Sequence, residues 1–191
     1  MPYTLTAYPK QITLRDGSEV TIRPLSGEDA DLLLAFYLRV PEQERYFLKD
    51  DVTSPRVIHR WTSQIDYARA LPLVAMDNGR IVASAVLIRS RHGAYAQLAD
   101  LRVVVDGESR GRGLGTALMH ELCDIAADAD LDRVVVEFVS GVQDEAIAAA
   151  ERLGFLRSAT IHELMRDTHG RAHDLVVLVL PLGKWYEWSQ F

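Results

Sequence analysis

The chain has a single cysteine, Cys123, in 191 residues. One thiol cannot build an internal disulfide framework or a cysteine-rich metal site, and such sparing use points to a reducing compartment. Positive charge is scarce as well: 21 Lys and Arg stand against 27 Asp and Glu, a net charge of −6. That balance argues against a general nucleic-acid-binding surface and leaves room for a small basic pocket. Long apolar runs are missing. The opening MPYTLTAYPKQITLRDG has no apolar core of signal-peptide length, and no segment is long enough to span a bilayer. A cytoplasmic protein without membrane contact is therefore expected. Internal repeats, low-complexity tracts and linkers are also absent. What remains, 48% hydrophobic and 25% charged residues, is the mix of a soluble globular protein with one sizeable core.

The patterns that are present divide the chain clearly. QITLRDGSEVTIRPL reads as two short strands about Asp16-Gly17, a hairpin signal. Ser26 caps a helix, with Asp29 in a capping-box position. Leu32, Leu33, Phe36, Tyr37 and Val40 form its apolar stripe, and Pro41 stops it. A second helix begins at Ser54-Pro55, with Ile58, Trp61 and Ile65 at helical spacing. LPLVAMDNGRIVASAVLIRS is a hairpin about Asn78-Gly79, and AYAQLADLRVVV is a further strand. After the glycine-rich segment and its helix, DRVVVEFV reads as a central strand. QDEAIAAAERLGF is a helix ended by Gly154, and two long strands follow about His169-Gly170. This order predicts a single α/β domain over residues 1–191. Its mixed, mostly antiparallel central sheet is flanked by helices, with a core over about 12–180 and an aromatic tail over 181–191. The tail ends GKWYEWSQF, a sequence suited to packing on the domain or to joining two copies as a homodimer.

The densest chemical signal is DGESRGRGLGTALMHEL. Arg110, Gly111, Arg112, Gly113 and Gly115 stand directly before an amphipathic helix. Glycine lets a ligand approach the main chain and accepts unusual backbone angles. The helix behind offers free N–H groups and the positive end of its dipole, and together these suit a phosphate. The plain alternative is a glycine-rich surface turn. Two other phosphate loops fail on spacing. A P-loop would need Gly-Lys after the four residues that follow Gly107, where Arg112 stands with no lysine nearby, and G-x-G-x-x-G breaks at Thr116 or Leu118.

Arg110-x-x-Gly113-x-Gly115 resembles instead the Arg/Gln-x-x-Gly-x-Gly/Ala signature of the GNAT-type N-acetyltransferase superfamily, which holds the pyrophosphate of acetyl-coenzyme A. LRVVV before the signature, DRVVVEFV after its helix and AIAAAERLGF, ending at Leu153, Gly154 and Phe155, resemble the same family. So does the element order from about Ile12 to Leu180. The opening LRDGSEVTIRPLSGEDADLLLAFYLRVPEQERYF is further similar to the acetyltransferase domain of bacterial protein-lysine acetyltransferases that act on acyl-CoA synthetases.

The resemblance implies a GNAT fold and an acetyl-CoA-dependent N-acetyltransferase with no metal. Its acceptor amine is a protein lysine or a small molecule, and a non-catalytic acyl-CoA-binding module is the alternative from another class. By position, Val103, Val104 and Val105 match residues whose main chain pairs with the pantetheine arm, with the Val105 N–H facing the thioester carbonyl. Arg110, Gly111, Arg112, Gly113, Leu114, Gly115 and Thr116 match the pyrophosphate loop. Gln143 stands where the family often has Asn against the cofactor arm. Asp100 matches a glutamate taken as the general base, and burial beside Leu98, Ala99 and Leu101 would suit it to that role. A strand-end structural carboxylate is the alternative. Glu137 is the reserve base, with an ion pair to an arginine such as Arg102 as its other reading. Ala150 departs from the family, which often has Tyr there to protonate the leaving thiolate. Cys123 is expected to be a small buried residue, and His162 and Glu163 to be surface strand residues.

Overall fold

A computed structural model describes residues 5, 7–90 and 92–183. The two expected hairpins form where the turn residues require them. Gly17 takes φ +81° between β1 (Lys10–Thr13) and β2 (Glu19–Pro24). Asn78 and Gly79 both take positive φ, as a two-residue type I′ turn demands, between β3 (Ala70–Asp77) and β4 (Arg80–Arg89). Strand β5 (Leu98–Val105) follows, preceded by a 3-10 turn at Gly93–Tyr95 rather than by more strand. Helix α4 (Leu114–Asp128), strand β6 (Arg133–Val139), helix α5 (Asp144–Arg152) and strands β7 (Leu156–Arg166) and β8 (Ala172–Pro181) complete the order.

The strands form one sheet in the order β1-β2-β3-β4-β5-β6-β8-β7, and every neighbouring pair is antiparallel except β5 and β6. Helix α4 buries Leu114, Leu118, Met119, Leu122, Cys123 and Ala126 against one face, joined by Ile147 and Ala150 of α5. The opposite face carries α1 (Ala30–Arg39), α2 (Glu42–Arg45) and α3 (Pro55–Ser63). This is the mixed α/β architecture expected. None of the described helices is long and apolar enough to cross a membrane.

Three local readings change. Ser26 and Asp29 do form reciprocal capping bonds, Ser26 N–H donating to Asp29 at 2.7 Å, but the first turn they cap is 3-10. The stripe of α1 is Ala30, Leu33, Phe36 and Tyr37, while Leu32 is exposed. Pro41 ends α1 and also opens the short α2, because a proline is tolerated at a helix start, where its missing N–H costs nothing. The aromatic tail from Lys184 onward lies outside the described residues.

Candidate active site

The single parallel pair of strands parts early. Strand β5 pairs with β6 only through Leu98, Ala99 and Asp100, opposite Arg133, Val134 and Val135. From Leu101 to Val105 its only paired neighbour among the described residues is β4. The Asp106 N–H donates to Val82 O at 2.9 Å, so antiparallel alternation aims the main-chain groups of Val104 and Arg102 at β4. Those of Leu101, Val103 and Val105 therefore face the gap that β6 leaves. Buried strand edges rarely leave such groups without partners, so a gap of this kind can accept an extended ligand. The Val105 carbonyl is already used, accepting from Arg110 Nε at 3.2 Å and Nη2 at 3.1 Å.

The glycine segment sits at the end of that gap. Gly111 (φ +73°) and Gly113 (φ +89°, the N-cap of α4) adopt left-handed angles that suit glycine. Gly115 is needed for another reason: a Cβ there would come 3.3 Å from a Val105 methyl, so its bare Cα lets α4 lie close on β5. The first-turn N–H groups of α4 point outward at the loop. The two expected cations are not free to supply charge. Arg110 forms a two-pronged ion pair with Glu44 of α2, its Nη1 donating at 2.8 Å. Arg112 is held by Asp16 at 2.6 Å and by the Ser18 hydroxyl, stitching the β1–β2 turn to the loop. Arg15, which sequence reading missed, lies across Gly113, its Nε 3.2 Å from where a Cβ would stand.

On the α1/α3 face a cavity of about 530 Å³ opens beside the triplet. Arg102 and Val104 of β5, Tyr37 of α1, Trp61 of α3 and Asp50 help to line it. Burial raises the Tyr37 phenol, and a hydrogen bond to Ser84 and the Arg102 charge pull the other way. Nothing in the amino-acid pattern marks these residues as one site, since they come from four separate elements.

The carboxylates expected to act as base fall on this same face. Alternation sends Ala99 and Leu101 into the core and leaves Asp100 exposed, so the burial expected of it does not occur. It stands at the last paired position before the strands part. Glu137 lies two residues past the end of that pairing, and its partner is Lys49 at 2.8 Å, not Arg102. The Gln143 side-chain oxygen accepts the Val139 N–H at 2.8 Å, fixing the start of α5. Ala150 is fully buried in the core, its Cβ enclosed. Cys123 is buried, its thiol pushed up to about 12 by that burial and by Asp124. His162 and Glu163 are exposed on β7, where Asp174 accepts from the Glu163 N–H at 2.9 Å and lies 3.0 Å from the His162 ring.

Comparison with known proteins accords with this geometry. The model of the Acetyltransferase (GNAT) family matches residues 36–155, which include the parted strands and the glycine loop. A Bacillus subtilis relative, "Putative phosphinothricin acetyltransferase YwnH", is 23% identical over 83% of this chain and 97% of its own length. The GNAT domain of S. lividans PAT superposes with a TM-score of 0.77, at 23% identity, covering 93% of this chain and 98% of that one. The structure of yncA from Salmonella typhimurium with its cofactor acetyl-CoA gives a TM-score of 0.71, at 22% identity, over 86% and 95% of the two chains. With more than half its length matched by the family model, the chain belongs to the GNAT family of N-acetyltransferases.

Proposed function

We propose that the protein uses acetyl-CoA to acetylate the amine of a small molecule seated in the cavity between α1, α3 and the sheet. The observation that carries this reading is the strand edge at Val103 and the Val105 N–H, which no neighbouring strand pairs among the described residues, opening beside that cavity. An extended pantetheine arm would complete the sheet edge there, and the glycine loop with the first turn of α4 would take the pyrophosphate. These residues fit the group: Gly111 and Gly113 keep the loop bare, and the helix N–H groups stand ready to donate. Leu114 and Thr116 present two of those N–H groups, and Arg15 adds a cation. Gln143 keeps its amide NH₂ for the arm.

Bound acetyl-CoA supplies an acetyl thioester, on which the amine nitrogen forms its bond to the carbonyl carbon while the carbon–sulfur bond breaks and the thiol departs. The Val105 N–H donates to the carbonyl oxygen as it gains charge. The amine must first lose a proton. Asp100 takes it through a chain of waters, since it stands about 16 Å along the strand from Val105 at ~3.3 Å per residue. Ala150 carries no proton for the departing sulfur, so water supplies it. Transfer to a protein lysine is the second reading, favoured by the similarity of the N-terminal stretch. Incubation with acetyl-CoA and a mixture of primary amines tests the proposal by thiol release and by the mass of acetylated products. Acetyl-CoA binding with no transfer to any amine or protein would make the chain a non-catalytic binding module.

A further inference from the structure

Two opposite charges line the cavity. Arg102 rises from its sheet floor and Asp50 from the loop before α3. Among the described residues neither has an ion pair or a side-chain hydrogen bond. Glu137, the partner expected for Arg102, is held by Lys49 instead. Arg102 and Asp50 both line the cavity beside Tyr37, whose hydroxyl feels the charge of each. They are nevertheless not within ion-pair distance of each other, which leaves a space between a cation and an anion. Apolar side chains, among them Leu33, Val52, Trp61 and Val86, make up much of the remaining wall.

The other charged groups of the wall do not change this. Lys49 is committed to Glu137, Arg60 and Arg69 are exposed, and Asp66 accepts from the Ala68 N–H at 3.1 Å.

Resting on the reading of this cavity as the acceptor site, we infer that the acceptor is a zwitterion of the α-amino-acid type. Its carboxylate lies on Arg102, its ammonium faces Asp50, and an apolar side chain fills the cavity. The physical reason is that a partly buried cation on the floor repels an ammonium that brings no anion with it. A molecule carrying its own carboxylate turns that repulsion into a charge-assisted bond, and arginine suits a carboxylate on two oxygens. A lysine ε-ammonium in a peptide has no such carboxylate near it. Arg102 also adjoins Val103, whose main chain faces the open edge of β5, so a carboxylate held there keeps the adjacent amine close to that edge.

The test needs no mutant at first. The wild-type protein and acetyl-CoA are given L-leucine, L-methionine and L-phenylalanine, each beside the amine that lacks only the carboxylate, together with a lysine-containing peptide. The expected result is a kcat/KM at least tenfold higher for the amino acid than for its matched amine or the peptide. Arg102→Gln should then raise KM for the amino acid at least tenfold with a smaller change in kcat, leave KM for the matched amine the same or lower, and be partly rescued by Arg102→Lys. Asp50→Asn should raise KM for both. Equal efficiency with and without the carboxylate, or a preference for the peptide, overturns this inference and leaves the acetyltransferase reading standing. Acetyl-CoA binding, by calorimetry, without transfer to any of these acceptors overturns both.

Discussion

The Lys49 ammonium lies 2.8 Å from the Glu137 carboxylate, tying the loop before α3 to β6. Both side chains are well exposed, so the pair is worth at most ~1 kcal/mol. Its consequence is for the choice of base. Glu137 already has its Oε2 on Lys49, whereas Asp100, on the same face, makes no ion pair among the described residues. Asp100→Asn should lower kcat by ~10²-fold and remove the acid limb of kcat/KM, the usual worth of a general base, with acetyl-CoA affinity unchanged. Glu137→Gln should change kcat only a few-fold. A pH–rate profile of both variants with one validated acceptor checks this, and an unchanged acid limb in Asp100→Asn with its loss in Glu137→Gln would reverse the assignment.

Gly113 is a poor place to test the anion site, because its φ of +89° and the Arg15 side chain against it would strain any replacement. Thr116, in the first turn of α4, is better. Aspartate there meets the positive end of the helix dipole and should hold or raise stability by ~0.3–1 kcal/mol. It also sets a negative charge where the pyrophosphate would bind. Thr116→Asp should weaken acetyl-CoA binding at least tenfold, ~1.4 kcal/mol, with thermal stability intact. Calorimetry showing unchanged affinity would move the phosphate site off this helix.

The sequence disclosed the fold where local chemistry decides it. Asp16-Gly17 and Asn78-Gly79 need positive φ, and the spacing of Leu114, Leu118 and Leu122 needs a helix with one buried face. It disclosed less of the site, for a physical reason. Composition cannot say which carboxylate a cation will choose, and so Lys49 for Glu137, Glu44 for Arg110 and Asp16 for Arg112 were not readable. Asp100 was misjudged as buried because its apolar neighbours in sequence point to the opposite face of the sheet. The cavity is assembled from α1, α3, β5 and the loop between helices, residues far apart in the chain with no shared motif.

Ala150 offers a test of packing against chemistry. A tyrosine in its place would supply a proton donor if the ring reached the departing sulfur. The alanine is fully buried in the same core cluster as Ile147 and Phe155. Overpacking of this kind costs ~1–3 kcal/mol or more. Ala150→Tyr should therefore lower Tm by several degrees, at ~2–4 °C per kcal/mol for a chain of this size, and should not raise turnover. A variant as stable as the parent and faster with the same acceptor would show that the ring does reach the cleft.

The Asp29 carboxylate receives Arg23 on both oxygens, each at 2.7 Å, and also the Ser26 N–H at 2.7 Å. This joins β2 to the start of α1, the helix that supplies Leu33 and Tyr37 to the cavity wall. Burial pushes the Asp29 carboxyl up, and the bonds from Arg23 and Ser26 outweigh it and hold the group below its ordinary value. A carboxyl depressed in the folded state stabilises that state fully above its unfolded value of ~3.9 and loses the contribution as pH falls through the folded value. Asp29→Asn should cost ~2–3 kcal/mol at pH 7, below the ~3–5 kcal/mol of a fully buried pair because Arg23 keeps some exposure. That cost should stay constant from pH 7 to about pH 5 and shrink as the pH drops below ~4, where the unfolded wild type takes up a proton that the folded carboxylate still excludes. Urea unfolding of both proteins at pH 7, 5 and 3 measures it. A difference that stays the same at pH 3 would mean that the bonds to Asp29 hold the helix start by geometry alone, with no share from its charge.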